Sequence, residues 1–418
     1  MLKNNYFLVI SCLLLNTANI VAQKLSLENV LTTIKVSNPQ LKMYDADILS
    51  MDAAAKGAKS WMPPQVSTGF FMTPYNPKMW KADEMTPGMG FYMLGVTQMI
   101  PNSKKLKADY NYMSTMSSVE TENKNYTSNQ LYAIAKTNYY QWLILNKKIK
   151  LANDNLLLLE YMIKSMEIRY QYNMDKLPTY YKAKSQYGTL ESMIVMLQND
   201  IYQKRIMLNM LMARDKNTAF EIDTIYKLND FNLSKSDTTF LSQNRSDVKA
   251  IEKTMALNQL KIAAEKAKLL PEFGVKYDHM FAFGEQPQQF SLMLMVNIPF
   301  APWSARMSKA NINSFKLKNE SLNWQKQMVL NEASGMISGM NAELVNLKKQ
   351  YDIAEESVIP ALRRNYDTSI IAWQNNTGDL FVVLDAWEAF NMSQMDALDK
   401  LQAILTTQIE IEKQLETK

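Results

Sequence analysis

The chain has 418 residues, of which 47% are apolar and 21% charged, with a formal net charge of +5 and a single cysteine. The near balance of charge argues against a nucleic-acid binder or an acidic tail, and one cysteine excludes a disulfide within the chain. After residue 22 no stretch reaches the run of about 18 apolar residues expected of a membrane-spanning helix.

Residues 1–22 read as a secretory signal. Lys3 supplies the positive start, residues 6–15 the apolar run, and Ala22 a small residue before a cleavage point. Val9-Ile10-Ser11-Cys12 also fits a lipid-attachment box, but the apolar run continues past Cys12 instead of ending there. Removal of this segment takes away the only cysteine, and with it any thiolate metal site. An exported chain without disulfides suits a bacterial envelope.

A first helix is predicted over 27–61, where Leu27, Val30, Leu31, Ile34, Leu41, Tyr44, Ile48 and Met51 recur at helical spacing before Met62-Pro63-Pro64 stops it. Strands follow at 65–73 and 91–99, about the length of a tilted strand crossing a bilayer. From 104 to 172 there is neither proline nor glycine, which predicts one very long helix. A turn over 172–178 leads to a return helix at 179–213, opened by Pro178. Residues 215–242 are polar and poorly periodic and read as a belt beside the middle of the long helix. Strands are then predicted at 273–280 and 290–298, and a second long helix over 304–376, bent where Pro360 falls. Its closing turn at 374–380 places Gly378 for a left-handed cap and Asp379 to start the last helix, 379–416.

The order of elements repeats. Ile100-Pro101 before the first long helix is matched by Ile298-Pro299 before the second, and Asn38-Pro39-Gln40-Leu41 by Arg245-Ser246-Asp247-Val248. Pro64 is matched by Pro271, Leu177 by Leu380 and Ala183 by Ala386, all roughly two hundred residues apart. The expected organisation is therefore a signal (1–22), a first repeat (23–214), a mid-rod linker (215–242) and a second repeat (243–418). A return helix and a short helix laid end to end match one long helix, so each repeat can form an antiparallel coiled coil. The fold class is mainly α with a small β part: duplicated long antiparallel coiled-coil helices and four strands per chain.

In the last strand Phe290, Leu292, Leu294, Val296 and Ile298 form one apolar face, while Lys276 and Asp278 share a face of its neighbour. One side suits lipid and the other water; half-buried strands of a soluble protein are the alternative. Four strands cannot close a barrel, and an open sheet edge cannot sit in lipid, so membrane insertion requires other copies of the chain. The lone His279 falls in a strand as a pore-lining or interface residue. No HExxH, phosphate-cradling glycine loop or nucleophile elbow accompanies it, and the chain reads as a non-enzyme without a cofactor.

These features together resemble the TolC family of outer-membrane factors over the whole chain after residue 22. The resemblance is carried by Asn38-Pro39-Gln40-Leu41, by the proline before the first strand of each repeat and by the Ile-Pro strand exits. It is carried further by Val358-Ile359-Pro360-Ala361 and by Thr377-Gly378-Asp379-Leu380 leading to Leu384-Asp385-Ala386. Asn173 stands where the family has glycine, and asparagine tolerates the same left-handed backbone. The resemblance implies a homotrimer in outer-membrane lipid: a transmembrane β-barrel with four strands from each chain and a periplasmic α-barrel of the helices. It also implies an exit duct of a tripartite efflux pump, with a periplasmic adaptor (membrane fusion protein) and an inner-membrane pump of RND type. The turns, with Asn173, Asp175, Leu177, Pro178, Gly378 and Leu380, would then form the periplasmic tip where the adaptor docks. Asp175, Asp379 and Asp385 are the candidates for a pore constriction, their other reading being helix-start carboxylates.

Thirty methionines are present, with Met72, Met79, Met85, Met89, Met93 and Met99 in the first strand pair and its loop and Met280, Met293 and Met295 in the second. Thioethers suit Cu(I) or Ag(I), and the strands look most like the heavy-metal (CusC-like) branch of the family. Methionine is also a flexible packing residue. Drug efflux and type I secretion remain open as cargo classes, and a periplasmic coiled-coil scaffold or adaptor is the rival outside the membrane.

Overall fold

The computed structural model describes residues 23–84, 87–172, 176–228, 237–299 and 301–416. The signal with Cys12, together with Met85, Asn173 and Asp175, lies outside these. The described chain divides into two compact units, each assembled from segments of both repeats. One holds the described residues up to Thr33 with Ala135–Lys227 and Ile359–Asp399; the other holds Ile34–Ile134, Leu228–Val358 and the described residues from Lys400 onward.

The first helix is broken in two, α1 (Leu27–Ser37) and α2 (Pro39–Lys56), where a single helix over 27–61 was expected. Pro39 disfavours helical backbone at the residue before it, and Asn38 adopts extended φ/ψ and accepts the Gln40 N–H at 2.9 Å. A proline at the first helical position with an asparagine cap is thus both a stop and a start. A short 3-10 turn, Gly57–Lys59, follows.

Strands β2 (Gln65–Phe71), β3 (Phe91–Ile100), β5 (Glu272–Ala282) and β6 (Gln289–Asn297) form one antiparallel sheet in the order β2-β3-β5-β6. The repeats join at its centre, where β3 pairs with β5 from Phe91↔Ala282 to Ile100↔Phe273. Successive strand residues alternate between faces. On one face Phe290, Leu292, Leu294 and Val296 lie exposed beside Phe273, Tyr277 and Phe281 and beside Tyr92, Leu94 and Val96. The other face holds Lys276 and Asp278, whose ion pair spans 3.1 Å, with Ser67, Thr97, Ser291 and Asn297. His279 lies on the exposed apolar face, paired with Leu94 and Phe290 and 3.2 Å from Gln288 Oε1. It does not lie on the polar face.

A second, unforeseen sheet is a parallel pair of β1 (Gln23–Leu25) with β4 (Phe220–Ile222). Tyr139 secures it, its hydroxyl donating to the Leu25 carbonyl at 3.0 Å and accepting the Asp223 N–H at 2.9 Å. Burial, the largest influence, pushes this hydroxyl up to about 12. Part of the expected belt is therefore a strand, and another part is a short helix, α5 (Thr238–Asn244).

Helix α3 (Ser103–Gln171) is uninterrupted, 69 residues and about 100 Å by its rise. Asn102 opens it, accepting the Lys104 N–H at 2.9 Å. The second long helix is two α-helices, α7 (Pro302–Ile353) and α8 (Ile359–Gln374), joined by a π-helical turn, Ala354–Val358. Pro360 lacks an N–H and its ring crowds the carbonyl four residues earlier. The wider π turn just before it adjusts the hydrogen-bond ladder there, and the chain continues as helix. The remaining helices are α4 (Leu177–Leu211), α6 (Ser246–Ala267) and α9 (Leu380–Leu415).

Packing follows a coiled-coil period. The buried positions Ala152, Asn155, Leu159, Met162 and Met166 of α3 alternate steps of three and four, and those of α4, Ala183, Leu190 and Leu197, step by seven. Ala152, Leu159, Met162, Met166, Ala183 and Leu190 build the core of the first unit with Tyr366 and Trp373 of α8 and Leu380, Val383, Leu384 and Trp387 of α9. In the second unit Leu330, Ala333, Ile337 and Leu344 of α7 pack with Val248 of α6 and with Ile404, Ile411 and Leu415 of α9. Ion pairs line the same helices: Lys326 with Glu252 at 2.6 Å, and Lys124 with Asp45.

Candidate functional site

Two regions carry chemistry, the turns between helices in the first unit and the sheet in the second. At the first turn Leu177 and Pro178 open α4, with Lys176 extended at φ −97°. Leu177 is exposed. At the second turn the left-handed residue is Asn376, at φ 59°, and not Gly378 as expected. Asparagine adopts this conformation at low cost, which frees glycine for a different task. A Cβ on Gly378 would lie 3.0 Å from the Ala372 Cβ, so the missing side chain lets the turn fold back on α8. The Ala372 carbonyl there accepts the N–H of Thr377 at 2.9 Å and of Gly378 at 3.0 Å. Asp379 caps α9, its carboxylate accepting the Phe381 N–H at 2.9 Å, and Leu380 is buried in the core below.

Three polar bridges run from cations of the first repeat to acceptors of the second. Arg169 donates to Asn376 Oδ1 at 2.6 Å and lies 4.8 Å over the Trp373 ring. Lys176 approaches Asp379 at 3.8 Å, and Lys182 meets Asp385 at 2.8 Å while its ammonium lies 4.1 Å over the Phe381 ring. Exposed pairs of this kind contribute at most about 1 kcal/mol each. They fix the register of the two turns more than they stabilise them. Beneath them Trp387 Nε1 donates to Asn155 Oδ1 at 2.7 Å, a buried polar pair that no sequence pattern singled out. Its only signal is that Asn155 occupies a core position of the α3 repeat.

In the sheet Asp278 is 3% exposed at its side chain, and its Oδ1 has no hydrogen-bond partner among the described residues. Gly95 lies opposite it in β3, and a Cβ there would overlap Asp278 Oδ1 and approach Ser67 Oγ to 2.6 Å. Glycine therefore makes room for a buried carboxylate. On the same face Met93 pairs with Met280, Met293 faces Lys276, and Met99 and Met295 flank Gly274.

Among the described residues no helix is long and apolar enough to cross a membrane. The arrangement, a four-stranded sheet continued into long helices, is a fold shared with solved outer-membrane channels. More particularly it is the TolC-type channel fold. CusC, solved in a study of folding and transmembrane channel formation, matches with a TM-score of 0.74 at 14% identity, over 93% of this chain and 91% of its own. VceC from Vibrio cholerae matches at 0.72 and 14%, over 93% of this chain and 95% of its own. The outer-membrane channel OprN matches at 0.74 and 12%, over 94% of this chain and 90% of its own. No protein-family profile and no curated protein matches the chain by sequence.

Proposed function

We propose that the chain is a member of the TolC family and one subunit of a trimeric exit duct in the outer membrane, without catalytic activity. The sheet carries this reading. It exposes a continuous apolar face, and its outer strands β2 and β6 each leave one edge unpaired among the described residues. An unpaired edge is excluded from lipid, so copies of the chain must supply the pairing that closes the barrel. The helices then extend into the periplasm as an α-barrel. The turns, with Leu177, Pro178 and Gly378 together with Asn173 and Asp175, receive a periplasmic adaptor coupled to an inner-membrane pump of RND type, while Leu380, expected at this surface, is buried and anchors the second turn from below. Asp379 and Asp385, with Asp175, belong to the constriction, where each is copied by every subunit.

Soft metal ions such as Cu(I) or Ag(I) are the cargo class favoured by the polar face of the sheet, where Met93, Met99, Met280, Met293 and Met295 present thioethers toward the barrel interior. The test is the mass of the detergent-solubilised protein combined with single-channel conductance in planar bilayers. A conducting trimer is expected. A water-soluble monomer or dimer without conductance would leave a periplasmic coiled-coil scaffold in its place.

A further inference from the structure

A groove of about 520 Å³ opens between the end of α2 and the start of α3, lined by Lys59, Trp61, Ser103, Leu106, Lys107 and Tyr110. Lys59 lies 4.0 Å over the Tyr110 ring, and neither Lys59 nor Lys107 has a carboxylate partner among the described residues. No carboxylate among the described residues lines the groove, and the first turn of α3 has no acidic residue. Asn111 also lines the groove, and the rest of its wall is mainly apolar, formed by Leu106, the Trp61 indole and the lysine stems. Its level in the fold is well defined. Trp61, 56% exposed, lies just before β2, and Ser103 just after the end of β3, where the exposed apolar face of the sheet gives way to polar helix.

We infer that this groove binds the headgroup of an anionic phospholipid, its phosphate held by Lys59, Lys107 and the Ser103 hydroxyl and its glycerol end lying against Leu106 and Trp61. The inference rests on the sheet crossing the outer membrane with the helices in the periplasm, which sets the groove among the headgroups of the periplasmic leaflet. Tryptophan and lysine are the side chains that favour that depth. Two uncompensated ammonium groups favour a net negative headgroup. A zwitterionic one would bring an ammonium of its own and find no carboxylate to receive it. Each lysine near an anionic lipid surface strengthens binding about fivefold, so the pair contributes roughly 25-fold.

The test is native mass spectrometry of the full chain purified in detergent, with phosphatidylglycerol or phosphatidylethanolamine of matched acyl chains added back. Preferential retention of phosphatidylglycerol is expected, falling roughly 25-fold in Lys59→Gln/Lys107→Gln and kept in Lys59→Arg/Lys107→Arg and in Lys349→Gln, a change at an exposed lysine of α7 that does not line the groove. An unchanged helical circular dichroism spectrum checks that the glutamine variant is folded. Equal retention of the two lipids, or a preference that survives the glutamine double variant, overturns the assignment. So does displacement of the lipid by excess inorganic phosphate, which would make free phosphate the ligand. A channel that conducts in planar bilayers without retaining phosphatidylglycerol refutes the lipid site alone, whereas absence of conductance refutes the duct reading.

Discussion

Replacing Leu292 by arginine separates a lipid-facing sheet from a solvent-facing one. Leu292 is 64% exposed, lies between Phe290 and Leu294 on the apolar face, and pairs with Tyr277, the middle residue of β5. It is therefore close to the midpoint of the strands. In lipid, arginine at that depth of a barrel costs about 2–4 kcal/mol, or roughly 30- to 700-fold in the folding equilibrium of each chain. In water the same substitution at an exposed position costs within about 0.5 kcal/mol. The assay is refolding into lipid vesicles across a urea series, read by the heat-modifiable shift of the folded band in gels. Ser291→Arg is the control, because Ser291 is on the other face opposite Asp278, where an arginine meets a carboxylate. Leu292→Arg is expected to fold poorly and Ser291→Arg to fold as the parent does. If Leu292→Arg refolds within about 0.5 kcal/mol of the parent, the apolar face does not contact lipid and the argument for a barrel fails.

Asn155→Ala leaves the buried Trp387 N–H without its acceptor, at a cost of about 1–3 kcal/mol. It should speed amide exchange in α8 and the first half of α9 at neutral pH, and exchange at the parent rate would show the pair to be incidental. Gly95→Ala forces Asp278 and Ser67 apart and should lower sheet stability by about 1–3 kcal/mol in the same vesicle refolding assay, whereas unchanged refolding would mean that the site has slack. Burial raises the hydroxyls of Tyr139 and Tyr366 from the ordinary 10 to about 12. The unfolded chain ionises first, so the folded state holds more protons between these values. The stability contributed is full below about pH 10 and falls by roughly 2–3 kcal/mol per tyrosine as pH rises to about 12. Alkaline melts of Tyr139→Phe should be less steep than the parent's. Tyr366→Phe should be neutral or stabilising by up to about 1 kcal/mol at pH 7, since the Tyr366 hydroxyl is buried with no partner among the described residues; a clear loss of stability would reveal one.

What the sequence determined by itself was the run of long helices and the four strands of the larger sheet. Long-helix and strand identity are written locally, in the absence of proline and glycine over 104–172 and in the Ile-Pro exits, because such residues act on their own backbone. The exposed face of β6 was legible for the same reason, since a period of two is a local property. The tertiary structure decided whatever depends on a partner distant in the chain. The pairing of β3 with β5, which makes one sheet of two hairpins, and the parallel pair held by Tyr139 join segments that carry no shared local signal. The turn before α9 shows the distinction at single residues. A glycine beside an asparagine predicts a left-handed position, but which of them takes it depends on packing. The close approach of Gly378 to Ala372 reserves the glycine for contact and passes the positive φ to Asn376. The same holds for Asp379 and Asp385. Their positions in the helix are local facts, whereas their pairing with Lys176 and Lys182 exists only because the two repeats fold side by side at these turns.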